Sequence, residues 1–418
     1  MREIQTKPIT DSEVTVPGSK SYTHRSLIAA ALSDGTCRLA NCLDSEDTRL
    51  TRQALSQMGV DITDEAGVAT IVGTSGRLAP SEDPVYLGNS GTSMRLLAGI
   101  AALGSGLYTL SGTDRMAERP VGDLLDALTQ LGVNARSVNN NGCPPIEIQG
   151  GTVAGGKADL KCGVSSQYLS SLLLAGPYMK NGLDVTVVEG PVSKPYIDMT
   201  VDIMTDFEVT VDREGYNRFR VPPDQCYKSG SYRVESDASQ ASYFWAAAAI
   251  TGTTVKVRGM HPDSRQGDVG LLKVLAQMGC TITHDADGAA VTGGNLSGVT
   301  VDMADMPDVV PTLAVVAAFA KGVTRIYNVA HLKEKESDRL SAVATELTKM
   351  GIAVVCGDDG LTITGGDPKG AEIETYNDHR IAMCFAVAGL RVPGVKIRNE
   401  QCVEKSFPDY WDVFETLY

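Results

Sequence analysis

Residues 244–257 read FWAAAAITGTTVKV, a run of small apolar residues that ends at a glycine and passes directly into a β-rich segment. Apolar residues on every side of such a run are typical of a helix that is buried all round. The alternation after Gly252 is typical of a half-buried strand. This stretch therefore predicts a buried helix, a glycine turn and a strand.

The same pattern of apolar helix, turn glycine and strand occurs five more times along the chain. The other copies lie at residues 26–40, 96–110, 172–188, 313–329 and 382–397. The turn glycines of all six are Gly35, Gly106, Gly182, Gly252, Gly322 and Gly394. They are spaced 70 to 76 residues apart, so the 418-residue chain is predicted to consist of six similar units.

An amphipathic helix that ends at a glycine lies between successive copies. It appears as ALSQMGVDIT, ALTQLGVNA, VLAQMGCTIT and TELTKMGIAVV, with Gly59, Gly132, Gly279 and Gly351 after the helices. IMTDFEVTV is a degenerate copy with Glu208 at the glycine position. The sixth copy, DYWDVFETLY, stops at the end of the sequence, so we expect a strand around Val14 to Val16 to complete it.

Three units in each of two domains predict an α/β protein with a discontinuous second domain. The first domain would span residues 17–232, and the second would combine residues 1–16 with residues 233–418. The chain would pass between the two domains twice, and these two connections would form a hinge beside a cleft. A single solenoid is the alternative, although no obviously polar capping repeat is present.

Composition limits the class of protein and its compartment. The chain is 43% apolar and 21% charged, which indicates globular domains rather than disorder. A net charge of -14 opposes binding to nucleic acid or to an anionic membrane. The nine cysteines show no CxxC pair and no zinc-ligand spacing, and no apolar run approaches a membrane span. We therefore expect a cytoplasmic protein with reduced thiols.

Small, polar or charged segments mark the predicted starts of the apolar helices. The residues fifteen positions before the turn glycines are Lys20, Gly91, Gln167, Asp237, Pro307 and His379. Helix capping alone explains any one of these segments. If the helices are parallel, however, their positive ends converge on one face of each domain and favour an anion there.

The cations near these segments exceed what helix capping requires. They are Lys20, Arg25, Arg95, Arg115, Arg119, Lys333, Lys335, Arg339, Arg380 and Lys405. Burying such charges is costly unless an anion meets them. The mixed run HLKEKESDRL is explained equally well as a solvated, self-paired helix start. Taken together, the cations predict a site for small, multiply anionic substrates, with Asp308 and Glu336 as candidates for proton transfer.

Eight strings resemble, in order, the signatures of the 5-enolpyruvylshikimate-3-phosphate synthases, also called 3-phosphoshikimate 1-carboxyvinyltransferases. They are PGSKSYTHR, LGNSGTSMR, AERPVGDLL, SSQYLSSLLL, SKPYI, KESDRL, YNDHRIAM and KSFPDY, and they span nearly the whole chain. The resemblance implies two similar domains of three βαβαββ-type repeats, with parallel buried helices and surface sheets.

The resemblance also implies the reaction. The enolpyruvyl group of phosphoenolpyruvate would pass to the 5-hydroxyl of shikimate 3-phosphate through a tetrahedral intermediate, with release of phosphate, in the pathway to aromatic amino acids. No metal or organic cofactor is implied. The expected partners are these two small molecules, with no nucleic acid and no membrane, and we expect a monomer.

The resemblance also implies which residues form the site. Those implied to bind shikimate 3-phosphate are Lys20, Ser21, Arg25, Ser165, Ser166, Gln167, Ser193, Asp308 and Lys335, and the role of Tyr196 is left open. Those implied for phosphoenolpyruvate are Lys20, Gly91, Arg119, Gln167, Arg339, Arg380 and Lys405. The implied catalytic residues are Lys20, Asp308 and Glu336, and which of them moves each proton is left open.

Some positions depart from the family pattern. His331 stands where many members have an asparagine, Leu96 stands where a proline is common, and Ser90 and Ser93 replace alanines beside Gly91. These changes leave open how tightly phosphoenolpyruvate or a phosphonate inhibitor such as glyphosate is held.

Two other functions remain as alternatives. The related transferase acting on UDP-N-acetylglucosamine uses a reactive cysteine in the loop that corresponds to residues 111–120, and this chain has none there. The other is a non-catalytic anion-binding repeat protein.

Overall fold

The computed structural model describes residues 1–261 and 263–418. Within these ranges the α-helices are α1 (Lys20–Leu32), α2 (Glu46–Gln57), α3 (Gly91–Ala101), α4 (Gly122–Gln130), α5 (Gln167–Ala175), α6 (Pro195–Asp206), α7 (Ala238–Thr251), α8 (Leu271–Met278), α9 (Val310–Ala318), α10 (Arg339–Lys349), α11 (His379–Gly389) and α12 (Tyr410–Glu415). Short 3₁₀ helices lie at Met116–Glu118, Gly176–Tyr178, Gly267–Gly270, Pro307–Val309, Ala330–Glu334 and Glu400–Lys405. None of the helices described is both long enough and apolar enough to cross a membrane.

The strands are short and are distributed along the whole chain. They are β1 (Arg2–Glu3), β2 (Ser12–Thr15), β3 (Thr36–Ala40), β4 (Asp61–Glu65), β5 (Val68–Val72), β6 (Val85–Tyr86), β7 (Gly106–Ser111), β8 (Asn134–Ser137), β9 (Ile146–Gly150), β10 (Gly156–Lys161), β11 (Leu183–Glu189), β12 (Asp212–Glu214), β13 (Arg218–Val221), β14 (Ser231–Arg233), β15 (Thr254–Arg258), β16 (Thr281–Asp285), β17 (Gly288–Thr292), β18 (Thr300–Asp302), β19 (Val323–Tyr327), β20 (Ala353–Cys356), β21 (Leu361–Thr364), β22 (Glu372–Ile373) and β23 (Lys396–Ile397).

The chain divides into two compact units, each with its own apolar core. The continuous unit is Gly18–Val234, and the split unit combines Met1–Pro17 with Glu235–Tyr418. Three sheets of the continuous unit have the strand orders β14-β3-β5-β4, β6-β7-β9-β8 and β10-β11-β13-β12. Those of the split unit have the orders β16-β17-β15-β2, β18-β19-β21-β20 and β1-β23-β22. The α/β class and the repeated unit predicted from the sequence are confirmed.

The helices that were predicted to be buried lie in the two cores. Nearly every side chain of α1, α7 and α11 is buried, because small residues let neighbouring elements approach from all sides. Gly252 ends α7 with φ of 82°, a left-handed conformation that glycine adopts without strain. Glu208 takes the same conformation with φ of 62°, which explains why the degenerate copy still turns there.

The N-terminal strand completes a different unit from the one predicted. β2 pairs in parallel with β15, with Val14 opposite Val257, and therefore completes the fourth unit. The sixth unit is closed instead by β1, which pairs with β23.

The pairing of β14 explains this difference. β2 precedes α1 and β14 precedes α7, but β14 pairs with β3, which follows α1. Each of these two strands therefore pairs in the sheet that belongs to the other strand's helix: β2 joins the sheet that follows α7, and β14 joins the sheet that follows α1. A repeat pattern cannot reveal the exchange, because both strands have the same local character.

Candidate active site

The buried helices α3 and α5 of the continuous unit begin at the same end. Arg95, in the second turn of α3, donates to Ser165 and Gln167 at the start of α5. One turn further along, the Gly99 amide donates to Ser171 Oγ over 3.0 Å. Corresponding turns are therefore side by side, and the positive ends of these helices point the same way.

Arg25 is a fully buried cation of the continuous unit whose hydrogen bonds all go to neutral oxygens. Its guanidinium donates to Thr200 Oγ1 at 2.8 Å, to Ser170 Oγ at 3.3 Å and to the Ser21 and Tyr196 carbonyls at 2.9 and 3.1 Å. Burial lowers the pKa of Arg25 to about 10. In the part of the chain that the structure describes, no carboxylate bonds to Arg25, so its charge has no counterion there.

Arg95 is a second buried arginine bound by neutral groups. Its guanidinium donates to Gln167 Oε1 at 3.1 Å and to the Pro120 carbonyl at 3.3 Å, and it lies over the Tyr168 ring. The Gln167 amide in turn donates to Thr92 Oγ1 at 3.0 Å. The sequence placed Arg95 among the cations but gave it no role; here it fixes the orientation of Gln167.

Lys20 is the first residue of α1 and is nearly buried. Its ammonium donates to Asp47 Oδ2 at 3.1 Å, and the Asp47 side chain is only 1% exposed. Ser166 and Ser193 are also buried, at 3% and 4% exposure. A pattern search could not single out Asp47, because it lies in an ordinary acidic first turn of α2.

Arg119 lies against the start of α3. Its Nη1 donates to the Asn89 carbonyl at 3.0 Å and to Asn89 Oδ1 at 3.1 Å. A Cβ atom at Gly91 would lie 2.4 Å from Arg119 Nη2. Only glycine therefore allows this guanidinium to approach the helix start.

The two serines that depart from the family pattern face the interior of the unit. Ser90 Oγ and Ser93 Oγ are 2.7 Å apart, Ser93 Oγ lies 2.8 Å from Thr51 Oγ1, and Thr51 Oγ1 lies 2.8 Å from His24 Nδ1. All four side chains are buried. The hydroxyls thus complete an internal chain that joins α1, α2 and α3.

Arg339 is the centre of a carboxylate cluster in the split unit. It starts α10, is 2% exposed, and donates from Nε to Asp378 Oδ2 at 2.8 Å. Its Nη1 and Nη2 donate to Asp308 at 3.0 Å and to Glu336 at 2.7 Å. Burial alone would lower the Arg339 pKa, but these three carboxylates outweigh it and raise the pKa. The solvated helix start considered as an alternative is therefore wrong for Arg339.

Asp308 bridges two arginines. Its Oδ1 accepts from Arg339, and its Oδ2 accepts from Arg380 in the first turn of α11. Arg380 Nη1 also lies 3.4 Å from the Tyr243 hydroxyl of α7. Asp378 caps α11 by accepting from the Arg380 amide. The predicted residues Asp308, Glu336, Arg339 and Arg380 are thus brought together, and Asp378, which was missed, joins them.

Lys335 and Lys405 are the remaining predicted site residues of the split unit, and His331 is the position there that departs from the family pattern. The pKa of His331 is lowered to about 3, chiefly by burial and also by nearby Lys335, while Asp308 opposes the shift. His331 is therefore neutral at pH 7. Lys405 is 5% exposed and ends a 3₁₀ helix that packs against α11. No group of three or more His, Cys, Asp or Glu suited to a metal ion occurs among the residues described.

Comparisons with known proteins cover nearly the whole chain. A sequence model of the family described as EPSP synthase (3-phosphoshikimate 1-carboxyvinyltransferase) matches residues 5–414. A 3-phosphoshikimate 1-carboxyvinyltransferase of Syntrophobacter fumaroxidans is 45% identical over 410 residues, 97% of both chains. One of Methanoculleus marisnigri is 44% identical over 420 residues, which cover 100% of this chain and 98% of that protein.

Solved structures agree with these sequence matches. An EPSP synthase from Acinetobacter baumannii superposes with a TM-score of 0.83 at 31% identity, covering 99% of this chain and 97% of that one. The enolpyruvyl transferase NikO from Streptomyces tendae superposes with a TM-score of 0.77 at 18% identity, which is a likeness of fold alone.

Proposed function

Because the chain belongs to the EPSP synthase (3-phosphoshikimate 1-carboxyvinyltransferase) family, we propose a division of roles between its two units. The enzyme transfers the enolpyruvyl group of phosphoenolpyruvate to the 5-hydroxyl of shikimate 3-phosphate and releases phosphate, a step of the shikimate pathway to aromatic amino acids. The continuous unit would mainly bind shikimate 3-phosphate. The split unit would supply the proton-transfer carboxylates and several phosphoenolpyruvate ligands.

The charge of Arg25 is the observation that carries the shikimate 3-phosphate assignment. A buried guanidinium that meets only neutral oxygens is costly unless an anion binds beside it. A phosphate group would supply that anion through charge-assisted hydrogen bonds. The further ligands proposed for this substrate are Lys20, Ser21, Ser165, Ser166, Gln167, Ser193, Asp308 and Lys335.

Cations from both units are proposed to hold phosphoenolpyruvate. The residues are Lys20, Gly91, Arg119, Gln167, Arg339, Arg380 and Lys405. Gly91 would contribute by leaving room for Arg119 at the helix start. Arginine suits this substrate because its planar fork can bind a carboxylate or a phosphate through two parallel hydrogen bonds.

Asp308 and Glu336 are proposed to move the protons. Asp308 would accept the proton of the 5-hydroxyl as the oxygen bonds to carbon 2. Glu336, in its protonated form, would donate a proton to carbon 3, and Lys20 would stabilise the developing charge. The resulting tetrahedral adduct loses phosphate and returns a proton from carbon 3. Both carboxylate oxygens of Asp308 accept hydrogen bonds from arginines here. Phosphoenolpyruvate would therefore have to bind Arg380 and free one oxygen before Asp308 can accept the proton.

An acceptor-dependent phosphate assay tests the reaction. Phosphate release from phosphoenolpyruvate is measured with shikimate 3-phosphate, with UDP-N-acetylglucosamine and with no acceptor. Release only with shikimate 3-phosphate is expected. Release only with the sugar nucleotide would favour the related transferase, and none with either would favour a non-catalytic anion-binding protein.

Matched variants test the proton-transfer roles. Asp308→Asn and Glu336→Gln should each lower kcat by at least about a hundredfold, since general acid–base catalysis contributes about 10² to 10⁴. Asp358→Asn is the control, because its carboxylate is fully exposed. Equal activity of all three variants would exclude the assignment.

We also propose a monomer in the cytoplasm. All nine cysteines lie within the ranges described and are free thiols, which supports a reducing compartment. Gel filtration with light scattering checks the mass, and cell fractionation checks the location.

A further inference from the structure

Asp268 is a buried carboxyl group of the split unit that has no role in the reaction described above. It lies in the 3₁₀ helix Gly267–Gly270, which packs against α7 and against the 3₁₀ helix that carries Asp308. The residue is 4% exposed. Its Oδ2 accepts a hydrogen bond from Ser239. Its Oδ1 is buried and has no hydrogen-bond partner among the residues that the structure describes.

Charged groups from three neighbouring elements act on Asp268. The pKa of Asp268 is raised to about 7, chiefly by burial and also by the negative charges of Asp308 and Asp237. Arg380 of α11 and the hydroxyl of Ser239 oppose this shift. The charge state of Asp268 therefore depends on where the Arg380 guanidinium lies.

The cluster has little positive charge to spare for a bound anion. Arg339 and Arg380 hold the three carboxylates of Asp308, Glu336 and Asp378. Asp268 is a fourth carboxyl group, and its charge interacts with those of Asp308 and Arg380. Phosphoenolpyruvate would bring a phosphate and another carboxylate to the same guanidinium groups.

We propose that Asp268 takes up one proton from solvent on its Oδ1 when phosphoenolpyruvate binds, and so compensates for the turn of Arg380 from Asp308 to the substrate. This inference rests on the proposed role of Arg380. The unpartnered oxygen is the site that accepts the proton, and Ser239 keeps the other oxygen in place. Asp268 is thus a positioning residue for the charges of the site and does not touch the substrate.

The proposal gives phosphoenolpyruvate binding a defined pH dependence. Above the pKa of free Asp268, the dissociation constant should rise about tenfold per pH unit, because one proton must be taken up with each ligand. The substrate phosphate is itself ionised above about pH 7.5, since its second pKa is about 6. Between pH 7.5 and 9 the slope therefore reports on the protein.

Titration calorimetry on the full-length protein tests this, without shikimate 3-phosphate so that no turnover occurs. Phosphoenolpyruvate is titrated at pH 8 in two buffers with different ionisation enthalpies. The expected uptake is about 0.9 proton per site, because a group of pKa near 7 is still about one-tenth protonated at pH 8. Asp268→Asn should reduce the uptake to nearly zero, while Ser239 can still donate to the amide oxygen.

Two results would overturn the inference. One is equal proton uptake with and without Asp268→Asn, and the other is a dissociation constant that does not change between pH 7.5 and 9. Absence of any binding by the folded protein would instead contradict the proposed function.

Ser239→Ala is the second variant, for use if Asp268→Asn does not fold. It keeps the carboxyl group but removes the hydroxyl that stabilises the anion, so the pH midpoint of proton uptake should move upward. An unchanged midpoint would also contradict the proposal.

Discussion

Arg25 shows how a single side chain can be poorly placed for stability and well placed for binding. Its partners Ser170 and Thr200 are 2.7 Å apart and bond to each other, and Thr200 also bonds to the Tyr196 carbonyl. These hydroxyls would therefore keep partners if the guanidinium were removed. The charge itself adds nothing to the core, and this supports the proposed role of Arg25 in binding an anion.

Arg25→Met tests this reading of the residue. We expect kcat/KM for shikimate 3-phosphate to fall by at least about tenfold, because one charge-assisted hydrogen bond contributes about 1.5 to 3 kcal/mol. The free energy of unfolding should change by less than about 2 kcal/mol, since methionine fills much of the volume without a buried charge. Kinetics and urea unfolding measure the two effects.

Arg136→Met, at an exposed ion pair with Glu147, is the control and should alter neither quantity. A large loss of stability in Arg25→Met with full activity per folded molecule would assign Arg25 a structural role instead.

His331 should make the stability of the protein depend on pH. Its folded pKa of about 3 lies below the ordinary value of 6.5, so the unfolded chain binds the proton more tightly. The stability that comes from a neutral His331 is therefore complete above pH 6.5 and is lost as the pH falls toward 3. His331→Asn should reduce the loss between pH 7 and 4.5 by on the order of 2 kcal/mol.

Urea unfolding at the two pH values measures this effect. His284→Asn, which removes an exposed histidine of β16, should leave the pH dependence as in the unmodified protein. An identical loss of stability in His331→Asn would show that His331 is not held neutral.

The start of α3 is set by close contacts with neighbouring elements. Gly91 admits the Arg119 guanidinium on one side, and the hydroxyl chain of Ser90, Ser93 and Thr51 ties the helix to α2 on the other. From the sequence, the effect of these serines on how tightly phosphoenolpyruvate is held was left open. Their hydroxyls are used inside the unit, so any effect on binding would act through the position of α3.

Gly91→Ala should displace Arg119 because a Cβ atom would lie 2.4 Å from Nη2 and 2.6 Å from Cζ. The guanidinium cannot move freely while it is buried and bonded to Asn89. We expect KM for phosphoenolpyruvate to rise at least about tenfold, the loss of roughly one charge-assisted hydrogen bond, with little change in melting temperature.

Steady-state kinetics check this prediction at the element scale. Gly151→Ala is the matched control, since a Cβ there meets nothing within 4 Å, and it should behave as the unmodified protein. An unchanged KM in Gly91→Ala would show that Arg119 does not need its present position to bind the substrate.

At the scale of the whole molecule, the two compact units differ in whether one continuous stretch of chain supplies all their strands. The continuous unit has all its strands within Gly18–Val234, including β14. The split unit needs β1 and β2, which the first seventeen residues supply. Parallel pairing of β2 with β15 buries Val14 and Val16 in its core.

Fragments should reveal this asymmetry. Residues 18–234 alone should show a cooperative thermal transition by circular dichroism, whereas residues 235–418 should gain one only when a peptide of residues 1–17 is added. The peptide with Val14→Asp is the control and should fail, because it would bury an unpaired charge. Folding of residues 235–418 without the peptide would contradict the prediction.

The sequence by itself determined the repeat, the buried helices and the residues at their starts. Lys20, Gly91, Gln167 and His379 are the first residues of their helices, as the spacing predicted. These features are local, because capping preferences, helical periodicity and glycine turns are fixed by neighbours in the chain. The family signatures added the reaction.

Only the tertiary structure decided which side chains meet. Arg25 and Thr200 are separated by 175 residues, and the bonded chain of His24, Thr51, Ser93 and Ser90 joins residues of α1, α2 and α3 with the N-cap of α3. Three other features also depend on elements that are distant in the sequence. They are the exchange of β2 and β14, the bridging of two arginines by Asp308, and the burial of Asp268. Such contacts depend on how distant elements pack together, and no local pattern encodes that packing.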